Sequence, residues 1–196
     1  MASLVPTSLL APASATPEIT PGASTLAGHL LIATPIMGDP RFASTAILLA
    51  RHSKEGAMGL TINRPIGLRP RADLLRAIGE DASGVDGEIR IFAGGPVQSM
   101  LGFVLHESTY RRAGTFDIDG HVALTSNHEV MLDICHNTGP QKYLIAFGYA
   151  GWGPHQLEGE LAAGAWVTAA DNPQLVFDED RAKVWDAAMA RAQRGP

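Results

Sequence analysis

Eight short, dense apolar runs separated by turn residues constrain this chain more than any other feature. They are His29–Thr34, Thr45–Ala50, Met58–Ile62, Ile89–Ala93, Leu101–His106, Val122–Thr125, Lys142–Gly148 and Ala165–Ala169, each with Gly, Pro, Asn or Asp nearby. Many are too short for helices, so they read as strands. Their apolarity is continuous rather than alternating. That predicts burial on both faces, as in a sheet covered by helices or curled on itself.

Three segments carry helical signals. Arg71–Ile78 puts Leu74, Leu75 and Ile78 on one face before Gly79 ends the run. Asn127–His136 follows a capping-box pattern, with Ser126 expected at the cap and Glu129 three residues on. A last helix over about Glu179–Gln193 begins in Asp178-Glu179-Asp180 and spaces Trp185, Ala188, Met189 and Ala192 along one face. The strands do not alternate with helices long enough for a doubly wound parallel sheet. The expected fold class is therefore α+β, with a mainly antiparallel sheet.

The 196 residues suit a single domain. A composition of 45% hydrophobic and 18% charged residues is a globular balance. Residues 1–27 are low in complexity, rich in Ala, Ser, Pro and Thr, and read as a disordered tail before a domain at 28–196. A signal peptide is the weaker reading of that tail, which has no basic start and is interrupted by Pro6, Thr7, Ser8 and Pro12. No apolar run approaches the roughly 18 residues that a membrane-spanning helix needs, so no membrane partner is expected. The single cysteine, Cys135, rules out an internal disulfide and fits a reducing cytoplasm, the expected location. A net charge of -5 provides no global attraction for nucleic acid.

The familiar catalytic signatures are missing: G-x-S-x-G, the phosphate loop G-x-x-x-x-G-K-[ST], H-E-x-x-H and forward G-x-G-x-x-G. No catalytic residue, cofactor or metal is assigned. Gly148-Tyr149-Ala150-Gly151-Trp152-Gly153 reads as a turn after a strand, or as a loop that receives a ligand on the Trp152 face. Gly94-Gly95-Pro96 reads likewise as a structural turn, or as a modest anion site if Pro96 opens a short helix. Together with Asn63 and Arg64, the residues Gly94, Gly95, Pro96 and Trp152 form the candidate ligand-binding set. Arg64, Arg69, Arg71 and Arg76 form the best basic patch and the candidate nucleic-acid surface, against the alternative of a solvated loop and helix face. Glu129, Asp133 and His136 share a helical face but read as its solvated side rather than as metal ligands. Cys135 reads as a buried thiol.

Several blocks in order resemble the YqgE/AlgH family of small bacterial proteins. These are Gly28–Met37 with Asp39–Phe42, Gly56–Pro65, Gly94–Val97 with Gly102–His106, and Gly148–Gly153 with Gln156–Glu158 and Gly164–Trp166. The resemblance implies a single domain with a curled, mainly antiparallel sheet and packed helices. It also implies a cytosolic bacterial protein without an assigned molecular role, although one branch is called a transcriptional regulator. No catalytic set comes with it. This chain departs from the pattern at His155, where a small residue, usually Gly, is expected, and at Ala43–Ala46.

Three functional readings follow. The leading one is a non-enzymatic binding or regulatory protein with an unknown protein or small-molecule partner, affecting transcription indirectly if at all. The second is an enzyme of hydrolase type with a non-standard site in the Gly-rich loops. The third is direct DNA binding through the arginine patch.

Overall fold

The computed structural model describes residues 25–170, 172–178 and 180–194. The expected tail lies outside the described residues up to position 24. Beyond that point Thr25 donates to the His52 carbonyl at 3.1 Å and the Leu26 N–H to His52 Nδ1 at 3.0 Å.

The apolar runs become strands β1 (His29–Ala33), β2 (Ala46–Ser53), β3 (Gly56–Thr61), β5 (Glu88–Ala93), β6 (Val97–Glu107), β8 (Val122–Thr125), β9 (Tyr143–Trp152) and β10 (Trp166–Ala170). β4 (Pro65–Pro70) and the two-residue β7 (Phe116–Asp117) complete the ten strands described. The path of the curled sheet is β10-β1-β2-β3-β9-β6-β8-β7, with β5 on β9 and β4 on β5. Only the β5–β9 pairing is parallel, and the rest are antiparallel.

β9 organises the sheet. Its first half pairs with β5 on one side (Ile91 opposite Ile145) and with β6 on the other (Val104 opposite Ile145). Its second half exchanges β5 for β3, with Gly59 opposite Ala150 and Ala57 opposite Trp152. The exchange brings backbone against backbone, so side chains are excluded there. A Cβ on Gly95 would lie 2.1 Å from the Tyr149 carbonyl carbon, and one on Gly94 2.2 Å from the Gly148 oxygen. The stretch read as a turn at Gly148–Gly153 is thus mostly strand. Pro96 opens no helix but precedes β6, which removes the physical basis of the anion-site reading.

Both sheet faces are covered, as continuous apolarity predicts. Leu30, Ile32, Leu48 and Leu105 face a core closed by Val176, Val184 and Ala188, contributed by a π-helical turn (Gln174–Asp178) and α4 (Val184–Arg194). On the opposite face, Val104 and Ile145 pack under α1 (Arg71–Ala77) and α2 (His128–Cys135). Leu31, Ile47 and Leu49 pack there under α3 (Gln156–Ala162).

Local signals explain the helix ends. Gly79, at φ +83°, closes α1 in a Schellman turn, with the Glu80 N–H donating to the Leu75 carbonyl. The α2 cap is Asn127, not Ser126: its side chain accepts from the Val130 N–H, one residue later than the capping-box reading. α4 starts at Val184 rather than near Glu179, because Arg181 is buried and donates to the Leu175 and Val176 carbonyls of the π turn.

A chain of hydrogen bonds crosses the far end of the sheet. His106 is fully buried, and its Nδ1–H donates to the Glu107 carbonyl at 2.8 Å, since a carbonyl only accepts. In the neutral ring Nε2 accepts from Thr125, which accepts from Thr115, which accepts from the Arg112 N–H. Arg112 also holds Asp133 through both carboxylate oxygens, keeping that carboxyl below its ordinary range.

Two predictions follow from this packing. Gly95→Ala should cost about 3 kcal/mol or more in denaturant unfolding, whereas Gly38→Ala, with open space around it, should cost well under about 1 kcal/mol. Burial holds the His106 imidazole below its ordinary value of 6.5. The unfolded chain therefore takes up a proton first, and stability should fall as pH drops below about 6.5. His106→Gln should flatten that slope in unfolding midpoints measured across pH, and an unchanged slope would contradict the assignment.

Candidate functional site

A cleft of about 390 Å³ opens where β9 loses its neighbour. β6 pairs with β9 only as far as Val97 opposite Tyr149, and Pro96, lacking an N–H, cannot extend that ladder. Beyond Tyr149, among the described residues, that side of β9 carries no strand. Gly151 and Trp152 form the floor, Pro96 and Val97 one wall, Met37–Asp39 with Arg41 and Phe42 another, and α3 supplies Gln156 and Glu160.

The cleft follows from the chain around α3. Trp152 ends β9, and Gly153-Pro154-His155 turns into the helix, with the Gly153 N–H held by Gln156 Oε1 at 3.1 Å. At its exit, Gly164 (φ +74°) and the Ala165 N–H bonded to the Glu160 carbonyl form a Schellman turn that leads directly to Trp166. The two tryptophans thus flank one short helix. Glu160 Oε2 accepts both indole N–H groups, Trp152 at 2.9 Å and Trp166 at 2.8 Å, while Oε1 accepts from Gln156 at 2.9 Å. The indoles meet edge to face at 5.9 Å, and Phe42 meets Trp166 in the same manner at 5.6 Å. Arg41 grips Asp39 through both oxygens, which lowers the Asp39 carboxyl from its ordinary value.

Residues 30–195 match the AlgH-like family. The chain belongs to that family. It is 42% identical over 166 residues to a UPF0301 protein of Rhodospirillum rubrum, covering 85% of this chain and 86% of the relative. To the UPF0301 protein AlgH of Pseudomonas aeruginosa PAO1 it is 44% identical over 165 residues, covering 83% and 86%. The solution structure of AlgH from Pseudomonas aeruginosa superposes with a TM-score of 0.75 at 41% identity, covering 90% of this chain and 92% of that one. A crystal structure of the Corynebacterium diphtheriae protein DIP2367 shares the fold at TM-score 0.64 and 19% identity, covering 91% of each chain.

Of the residues nominated from the sequence of this AlgH-like chain, Pro96 and Trp152 line the cleft. Asn63 and Arg64 stand behind its wall: Asn63 bonds Ala46 N–H and the Ser44 carbonyl, and Arg64 the Ala43 carbonyl, fixing the segment that carries Phe42. Gly94 and Gly95 pack against β9 backbone. The four arginines serve separate partners. Arg64 goes to Ala43, Arg69 to the Leu68 carbonyl, Arg71 to Asn137 at 2.5 Å and Arg76 to Asp73 at 2.7 Å. Cys135 is buried, which raises its thiol pKa.

The sequence reading missed Glu160, Gln156, Arg41 and Phe42 as site residues. The signal for Gln156 and Glu160 was two tryptophans bracketing a short segment that holds them together with Glu158. His155, one of the departures from the family pattern, caps α3 in the left-handed region at φ 60°, a conformation that costs a non-Gly residue about 1–2 kcal/mol.

Glu160→Ala leaves two buried indole N–H groups without an acceptor and should destabilise the fold by about 2–4 kcal/mol. Glu160→Gln keeps an acceptor oxygen and should lose less than half as much. Equal losses in thermal unfolding would remove the hydrogen-bonded clamp from the account.

Proposed function

We propose that this AlgH-like protein is a non-enzymatic, cytoplasmic binding protein whose ligand enters the Trp152 cleft. Any effect on transcription runs through that ligand or a partner. The observation that carries this reading is the Glu160 carboxylate, which accepts three N–H groups from its own chain and so acts as a scaffold for the aromatic floor. A general base needs an oxygen aimed at the proton it removes. The cleft's other carboxylate, Asp39, is held by Arg41. Rigid aromatic surface beside a few fixed polar groups is the composition of a recognition site.

The reading is tested by titrating the full chain with a metabolite and fragment library while following tryptophan emission, then analysing each bound compound after release. Saturable binding is expected, with the compound recovered unchanged and affinity reduced about tenfold by Phe42→Ala. A compound recovered chemically altered would make the protein an enzyme. Affinity untouched by Phe42→Ala would move the site elsewhere.

A further inference from the structure

The charges lining the cleft are Asp39, Arg41 and Glu160. Arg41 and Asp39 neutralise each other, so the cleft retains the single negative charge of Glu160. Its Oε1 accepts only Gln156 among the described residues and retains capacity for another N–H donor. The half-buried Phe42 ring, which also lines the cleft, has the Arg41 guanidinium carbon 5.8 Å from its centroid. The anionic carboxylate and a whole chain of charge -5 favour a cation.

A second feature adjoins the first. Between Val97 opposite Tyr149 and Gly102 opposite Phe147, residues 98–101 of β6 face Gly148 alone. They form a bulge that begins at Gln98, whose φ is 48°. The bulge presents Met100, 90% exposed, and Leu101, 40% exposed, around a shallow recess that shares Pro96 with the cleft.

We propose that cleft and bulge together receive a peptide segment of a partner protein, with a guanidinium or ammonium side chain in the cleft and a neighbouring apolar side chain on Met100 and Leu101. This rests on the cleft being the ligand-receiving surface.

The test titrates the isotope-labelled full chain with a blocked peptide of sequence Ala-Ala-Arg-Leu-Leu-Ala, the same peptide with Gln for Arg, and butylguanidinium. The indole N–H resonances of Trp152 and Trp166 are the reporters. The Arg peptide should bind about tenfold more tightly than the Gln peptide, and Glu160→Gln should erase that difference. Met100→Ser should weaken the Arg peptide without changing butylguanidinium. Equal binding of the two peptides would overturn cation recognition while leaving the cleft as a binding site. Butylguanidinium as tight as the Arg peptide would replace the peptide with a small cation. No shift at either indole with any probe would overturn this inference, and the library titration would then decide separately whether the cleft binds anything.

Discussion

Backbone contact where β9 changes neighbours governs the rest of the molecule. A strand that carries β5 and β6 along its first half and β3 along its second must let three backbones pass closely, and Gly94, Gly95 and Gly148 make that passage possible. The exchange curls the sheet and brings β3 and β5 end to end, joined by the Thr61 N–H on the Gly94 carbonyl. It also leaves the last residues of β9 uncovered on the β6 side. The cleft is therefore a consequence of how the sheet closes, and its floor is as rigid as the sheet itself.

Glu160 turns that gap into a defined surface. Unsatisfied indole N–H groups in a buried setting are costly, and a single carboxylate placed between them both satisfies and orients them. The sequence achieves this over a short stretch, with strand end, one short helix and a Schellman turn. The wall that carries Phe42 is held from behind by Asn63 and Arg64, so the two sides of the cleft are positioned by different parts of the chain.

Much of the architecture was legible in the residues. The eight apolar runs became eight strands, their continuous apolarity meant two covered faces, and Gly79 ended α1. The elements missed include β4, the two-residue β7 and the short α3, and of these β4 has a composition that argues against it. β4 begins and ends with proline and contains Gly67, and as a strand paired only with β5 it tolerates all three. The glycines of β9 resembled a turn because their role, close passage of neighbouring backbone, is invisible to local propensity. Asn127 displaced Ser126 as cap because two adjacent capping residues leave the choice to tertiary structure. The site was half legible: Trp152 and Pro96 line it, while Glu160 lies on α3, a helix that the sequence analysis did not single out. Arg64 marked a buttress where an anion-binding group was sought.

The most direct test of this account is hydrogen exchange of the three indole N–H groups, measured by NMR in the full chain and in Glu160→Ala. Trp152 and Trp166 should both be protected and should lose that protection together in the variant. Trp185, which donates to the Ala33 carbonyl at 2.8 Å, should remain unchanged as the internal control. If Trp152 and Trp166 exchange independently, or keep their protection without Glu160, the shared carboxylate does not fix the aromatic floor of the cleft, and the functional reading drawn from it fails with it.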